Sequence, residues 1–205
     1  MNNQLDEMDN ELINNEIQDK TIHFIGLGSF GSNALEIIYN KGVKAKYTYI
    51  SYPIRKYLPT EIDFIYFIPP WKIESDEMFE SFKFPDMNVE LVVPDEILAL
   101  FNEDHRYILL SGVGGYTGTY MTDKLSQFLI ENNKDFMAIC RLPFSIENLK
   151  KPFAEVIRLK YQLMSNFRFF ESDMMFKKYG NIKVKDAFEK LDEEFYNIFL
   201  EKFAG

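Results

Sequence analysis

The sequence predicts an α/β fold: a Rossmann-like, mostly parallel sheet with helices on both faces, ending in a long C-terminal helix. Between residues 21 and 165, short apolar runs alternate with segments of helical periodicity, which is typical of parallel strands joined by helices. Two glycine-rich turns each lie directly between such a run and a helix. The chain has 205 residues, of which 46% are hydrophobic, so a domain with a sizeable core is expected.

Strands are predicted where short runs of apolar residues stand between polar segments. These runs cover residues 21–27, 46–51, 62–68, 89–93, 106–111, 135–140 and 167–170. Helices are predicted where apolar side chains recur every three or four residues. They cover residues 32–41, 95–102, 117–132, 146–164 and 184–203, and residues 171–181 are predicted to be a loop. Pro94 opens the second helix, and Pro152 requires the fourth to begin or kink near it.

The first twenty residues differ in composition from the rest of the chain. They carry six acids and one lysine, which predicts an acidic, flexible N-terminal arm in front of a domain over residues 21–205. This composition is the reverse of a signal peptide, and no apolar run is long enough to cross a membrane, so a cytoplasmic protein is expected. The net charge of −9 argues against general binding to nucleic acid.

Few side chains are available for disulfide or metal chemistry. Cys140 is the one cysteine of the sequence, so no internal disulfide can form. His23 and His105 are the two histidines, which excludes a zinc site built from several histidines.

The first glycine turn reads Gly26-Leu27-Gly28-Ser29-Phe30-Gly31 and matches the pattern G-x-G-x-x-G. Glycines let the backbone approach a diphosphate, and the following helix presents unpaired N–H groups and a partial positive charge. A dinucleotide site would have an acid at the end of the second strand to bind the ribose. That strand ends at Ser51 and is followed by Arg55 and Lys56, which would instead suit the 2′-phosphate of NADP.

The second glycine turn reads Ser111-Gly112-Val113-Gly114-Gly115-Tyr116-Thr117-Gly118-Thr119. Its backbone can wrap phosphates with N–H groups, and its threonines add hydroxyl groups at the start of a helix. Two such turns predict a single ligand with several phosphates, provided that their strands are neighbours in the sheet.

Four segments of the sequence resemble motifs of the FtsZ/tubulin family and occur in the same order. The second turn, from Gly114 to Tyr120, resembles G-G-G-T-G-[ST]-G, and residues 26–34 resemble G-V-G-G-x-G-x-N-A. Residues 142–147 resemble K-P-F-x-F-E, and residues 187–193 resemble A-F-x-x-A-D-D at the start of the family's central helix.

The resemblance implies a domain that binds GTP or GDP, with Mg²⁺ accompanying the phosphates and no metal ligand from the protein. In that reading the second turn holds the β- and γ-phosphates, Glu147 reaches the ribose, and Lys151 stands where the family usually has an arginine. Phe188 would stack on guanine, and Asp192 would accept hydrogen bonds from its N1 and N2. The implied nucleotide-binding residues are Gly28, Ser29, Gly31, Asn33, Gly114, Gly115, Tyr116, Thr117, Gly118, Thr119, Glu147, Lys151, Phe188 and Asp192.

The resemblance also leads to expectations about hydrolysis and assembly. The family's central helix leads into a second domain whose first loop carries water-activating acids, and these 205 residues end with that helix. Weak or no intrinsic GTPase activity is therefore expected. Because the second half of the helix is apolar almost all round, we expect its side chains to be bare and to contact another copy or a partner protein. These side chains are Tyr196, Phe199, Leu200 and Phe203.

Three functions remain open from the sequence. The first is a minimal FtsZ/tubulin-like GTP-binding protein that acts as an assembly or regulatory module. The second is an interaction module with the same fold and no nucleotide, favoured by Tyr116 in place of a signature glycine and by Glu171 where the family has Asn-Asp. The third is an NADP-dependent oxidoreductase, which depends on the first glycine turn alone.

Overall fold

The computed structural model describes residues 21–52, 58–67 and 92–204. Within these ranges, six strands form one sheet in the order β3-β2-β1-β4-β5-β6, and every neighbouring pair is parallel. The strands are β1 (Ile22–Leu27), β2 (Lys46–Ser51), β3 (Asp63–Tyr66), β4 (Arg106–Gly112), β5 (Phe136–Leu142) and β6 (Phe167–Glu171). The direction of strand addition reverses between β1 and β4, which is where sheets of this type bind ligands.

Helices cover both faces of the sheet, so the predicted fold class is confirmed. They are α1 (Gly28–Asn40), α2 (Asp95–Leu98) with a following 3-10 helix (Ala99–Phe101), α3 (Tyr116–Glu131), α4 (Lys151–Tyr161), α5 (Met174–Tyr179) and α6 (Val184–Ala204). One hydrophobic core lies between the sheet and α1 and α6, and the other lies between the sheet and α2, α3 and α4. Among the helices of the described ranges, none combines the length and apolarity needed to cross a bilayer.

Three helical predictions differ from the structure. The helix α1 begins at Gly28 rather than residue 32, because Gly28 adopts a φ of +68° and turns the chain directly out of β1. The helix α4 begins at Lys151 rather than residue 146, with Pro152 in its first turn, where a missing N–H costs no hydrogen bond. The predicted loop 171–181 is wrong because it contains α5.

Some sequence predictions lie outside the described residues. These are the acidic arm over residues 1–20, the basic pair Arg55 and Lys56, and most of the strand predicted at 89–93. Of that strand, Val92 and Val93 are described and belong to neither a helix nor a strand.

The prediction that the end of the last helix is bare is wrong. Tyr196, Phe199 and Phe203 are buried within the chain, and Leu200 packs against the same core. The reason is that α6 lies on the sheet beside α1. The Phe199 ring meets that of Phe24 in β1 with 5.7 Å between centroids. Cationic side chains cover the flanks of the helix: the Lys41 ammonium lies 5.1 Å from the Tyr196 ring, and the Arg106 guanidinium lies 5.3 Å from the Phe203 ring.

Candidate functional site

The two glycine turns lie against each other at the carboxyl edge of the sheet. Their strands are neighbours, with Leu27 opposite Ser111 in the register. A Cβ atom built on Gly28 would lie 3.3 Å from the backbone nitrogen of Gly118 and 3.4 Å from Cβ of Thr117. The structure therefore brings both turns to one place, as a shared phosphate-binding site requires.

Two of the glycines are needed for packing of the turns onto the strands. A Cβ atom on Gly118 would lie 2.2 Å from the carbonyl oxygen of Gly112, and one on Gly31 would lie 2.5 Å from the carbonyl carbon of Gly26. Side chains never approach backbone atoms so closely. These positions fix the shape of the two turns whether or not a ligand is bound.

Gly115 differs from these glycines because it faces open space. A Cβ atom built there would meet nothing within 4 Å, and the residue has an ordinary φ of −94°. Gly115 is also the residue immediately before α3, where unpaired N–H groups point outward. An anion beside Gly115 would face these N–H groups directly.

The N-termini of α1 and α3 are both suited to an anion. Neither helix has a side-chain hydrogen bond at its cap, and neither has an acid in its first turn. The positive ends of both helix dipoles therefore meet beside the touching turns, with no carboxylate of the first turns to compete for them. A group with several phosphates fits this donor set.

The structure also uses part of the second turn internally. The Gly114 N–H donates a hydrogen bond to Thr119 Oγ1 over 2.7 Å, and Thr119 is buried. Tyr120 is buried in the core below α3, so its side chain does not fill the turn. Tyr116 is half-buried at the first position of α3, and burial raises the pKa of its hydroxyl above the ordinary value.

Three residues that the resemblance assigns to the nucleotide lie on α1 and α6, with Asn33 on α1 and Phe188 and Asp192 on α6. The Asn33 side-chain amide donates to Asp192 Oδ2 over 3.2 Å and joins the two helices. Phe188 lies one turn before Asp192 on α6. Its ring meets that of Phe144 at 4.7 Å, and 36% of the residue remains exposed.

Glu147 is held by other groups of the protein. Its Oε2 accepts hydrogen bonds from Arg141 Nη2 at 2.8 Å and from the Phe144 N–H at 2.9 Å, and its Oε1 accepts one from Lys150 Nζ at 2.6 Å. Burial acts to raise the pKa of Glu147, but the donors from Lys150, Arg141 and Phe144 outweigh it, so the pKa lies below its ordinary value. The carboxylate is therefore ionised and preoriented.

Arg141 is a site residue that sequence reasoning missed. It lies at the end of β5 and is 9% exposed. Its Nε donates to Ser172 Oγ over 2.7 Å, and its guanidinium lies 5.0 Å from the Phe188 ring. Burial lowers its pKa, while the charges of Glu147 and Asp192 act in the opposite direction. The signal was present, because an arginine in an otherwise apolar buried strand needs partners.

Lys151 lies apart from the two turns. It is exposed and lines a cavity of about 490 Å³ together with Arg158, Glu171 and Asp173, and no residue of either glycine turn lines this cavity. Its neighbour Lys150 borders the second turn instead. A Cβ atom on Gly114 would lie 2.9 Å from Cβ of Lys150.

No protein-family model and no curated protein sequence matches the chain. Solved structures do match it. An empty FtsZ dimer from M. jannaschii has a TM-score of 0.66 and 20% identity, over 94% of this chain and 57% of that one. A tryptophan-to-tyrosine variant of the same FtsZ has a TM-score of 0.65 and 20% identity, over 95% and 59%.

A more distant match is CetZ from Methanosaeta thermophila, with a TM-score of 0.55 and 11% identity, over 85% of this chain and 51% of that one. The chain thus spans between half and three fifths of the length of these structures. At such low identities the matches establish the fold, which is FtsZ/tubulin-like.

Proposed function

We propose that this chain, which has the fold of FtsZ, binds the guanine nucleotides GTP and GDP. One observation carries the proposal: the two glycine turns touch at the switch point of the sheet, where two uncapped helix N-termini meet. Backbone N–H groups of this kind bind phosphate without needing a lysine. Mg²⁺ would accompany a bound triphosphate through the phosphate oxygens, which it prefers as ligands.

The phosphates would lie along the turns. Ser29 is exposed at the start of α1, and Gly115 leaves open space at the start of α3, so both can accommodate a phosphate oxygen. Thr117 lies beside the first turn, where its Cβ would be 3.4 Å from a Cβ atom built on Gly28. Gly28, Gly31, Gly114, Gly118 and Thr119 would serve by holding the shape of the turns.

The nucleoside would lie beside α1 and α6, next to Phe188 and Asp192. The partly exposed ring of Phe188 offers a stacking surface, and the carboxylate of Asp192 offers hydrogen-bond acceptors. Both oxygens of Glu147 already accept hydrogen bonds from the protein, so its part would be to hold Arg141 and Lys150 in place.

The proposed role is that of a nucleotide-dependent assembly or regulatory module in the cytoplasm, with weak or no intrinsic hydrolysis. Nucleotide binding at the switch point would order the two turns and the start of α6 together, because Asn33 and Asp192 link these elements. Sedimentation of the protein with and without GTP tests for assembly. A mass that GTP leaves unchanged would limit the proposal to nucleotide binding.

NADP is the less favoured ligand. It would need only the first turn, whereas the structure sets the second turn against the first. A thermal-shift series with GTP, GDP, ATP and NADPH separates the candidates, because a ligand raises the melting temperature of the state that it binds. Stabilisation by GTP and GDP alone supports the proposal, stabilisation by NADPH alone supports the oxidoreductase, and no stabilisation supports an interaction module without nucleotide.

A further inference from the structure

A buried arginine, Arg141, lies beside Phe30 of α1 and Phe188 of α6, and the FtsZ resemblance gives it no role. Two of the three guanidinium nitrogens of Arg141 are bound, Nε to Ser172 and Nη2 to Glu147. In the part of the chain that the structure describes, Nη1 donates to no protein group. Because Nη1 has no partner among the described residues and is not fully buried, it reaches solvent.

The position of this free nitrogen is fixed. The guanidinium lies 5.2 Å from the Phe144 ring and 5.9 Å from the Phe30 ring, in addition to the 5.0 Å contact with Phe188. Two hydrogen bonds and three aromatic rings therefore hold the group in one orientation. A preoriented donor of this kind discriminates between ligands better than a mobile one.

Arg141 and Asp192 are neighbours of opposite hydrogen-bonding character. An arginine can only donate hydrogen bonds, and an ionised aspartate can only accept them. The charge of Asp192 is close enough to act on the guanidinium of Arg141. The Asn33 amide holds one oxygen of Asp192, which fixes the orientation of the carboxylate.

Guanine carries the complementary pattern along one edge. Its O6 accepts a hydrogen bond, and the adjacent N1 and N2 donate. Adenine has an amino donor in place of O6 and an acceptor at N1, so it would oppose both protein groups. Phe188 supplies the ring surface beside them.

We infer that Arg141 donates from Nη1 to O6 of the bound base and, with Asp192, makes the site selective for guanine. This inference rests on the proposed nucleotide binding. Arg141 is a specificity residue in this account, and Glu147 and Ser172 are the residues that position it.

The test compares GDP, 6-thio-GDP and ADP by calorimetric titration of the unmodified protein and of Arg141→Met. The unmodified protein is expected to bind GDP more tightly than 6-thio-GDP, because sulfur is the weaker acceptor. In Arg141→Met, GDP binding is expected to weaken by about tenfold or more, the effect of losing a hydrogen bond to a charged group. ADP binding is expected to stay equal or to become tighter, because the variant no longer sets a donor against the amino group of adenine.

Control variants separate selectivity from folding. Arg168→Met removes an arginine that lines a cavity away from Phe188 and Asp192, so it is expected to leave the ratio of GDP to ADP affinity unchanged. Arg141→Lys keeps a charge beside Glu147 and lacks the planar fork, so it is expected to lose selectivity like Arg141→Met. If neither Arg141 variant folds, the affinities of the unmodified protein for GDP and 6-thio-GDP decide whether a donor contacts O6.

The outcomes distinguish this inference from the proposal beneath it. If the unmodified protein binds neither GDP nor ADP, nucleotide binding is overturned, and guanine selectivity with it. If GDP binds and 6-thio-GDP binds equally well, or if Arg141→Met keeps the original ratio of GDP to ADP affinity, only the role of Arg141 is overturned.

Discussion

The Asn33 side-chain amide donates a hydrogen bond to Asp192 across 3.2 Å, which joins residues 159 positions apart in the sequence. Asn33 follows the first glycine turn, and Asp192 lies in the third helical turn of α6. This bond links α1 directly to α6. Under the proposed function, the edge of the base would lie at this carboxylate.

Asp192→Asn is expected to weaken GDP binding by about tenfold, because an amide replaces one acceptor by a donor that opposes guanine N1 and N2. ADP binding should change much less. Calorimetric titration measures both affinities. Glu193→Gln is the matched control, since Glu193 is the exposed neighbour on the same helix. Equal loss of GDP affinity in both variants would contradict a direct contact with the base.

Gly118→Ala is expected to destabilise the protein by roughly 1–3 kcal/mol or more, because the new methyl group would overlap the carbonyl of Gly112. Gly115→Ala is the control. It faces open space with an ordinary φ, so the loss should not exceed about 1 kcal/mol, the cost of alanine at the residue that caps a helix. Urea denaturation measures the free energy of unfolding of each variant. A Gly118→Ala protein as stable as Gly115→Ala would show that the turns are not packed as described.

Stability is expected to fall in mild acid because of His23. Burial, together with the charges of Lys46 and His105, lowers the pKa of His23 from 6.5 to about 3. Between these values the unfolded chain binds the proton and the folded chain does not, so stability decreases as the pH falls below about 6.5. From pH 7 to pH 5 this one group should remove roughly 2 kcal/mol.

The matched variant for this pH effect is His23→Gln, which can keep a hydrogen bond to Thr48 but does not titrate. His23 Nε2 and Thr48 Oγ1 are 2.8 Å apart. Denaturation at pH 7 and pH 5 gives the loss of stability of each protein. The difference between the two losses is the contribution of His23, because the carboxylates are the same in both proteins. If the free energy of unfolding falls equally in both proteins between pH 7 and pH 5, His23 does not remain neutral in the folded state.

Phe199→Ala is expected to destabilise the protein by about 3–5 kcal/mol and to leave its mass in solution unchanged, because Phe199 is a core residue. Asn197→Ala, at an exposed position of the same helix, should change neither the stability nor the mass in solution. Thermal unfolding and light scattering measure the two properties. A Phe199→Ala protein with native stability and a lower mass would instead support the interface between chains that the sequence predicts for this helix.

The strands could be predicted from the sequence because each contains a short apolar run, which is a local signal even in β3, where the residues are largely exposed. Both glycine turns could be predicted because their glycines and their position between a strand and a helix are local features of the sequence. The order of the strands then sets the turns against each other, with Gly28 beside Gly118.

The covering of the end of α6 and the place of Arg141 could not be predicted, because both depend on contacts between residues far apart in the sequence. The apolar end of α6 appears unpartnered in the sequence, yet Phe24, Lys41 and Arg106 from other elements cover it. Arg141 was missed for the same reason, since Ser172, 31 positions away, and the ring of Phe188 give it a place in the site.

Titration of GDP into the unmodified protein and into Gly115→Asp tests the central claim most directly. The new carboxylate would enter the open space at the start of α3, where an aspartate caps and stabilises a helix but repels phosphate. The account predicts that the unmodified protein binds GDP and that Gly115→Asp loses this binding while its melting temperature is equal or higher. GDP binding of equal affinity in the two proteins would contradict a phosphate site at the touching turns.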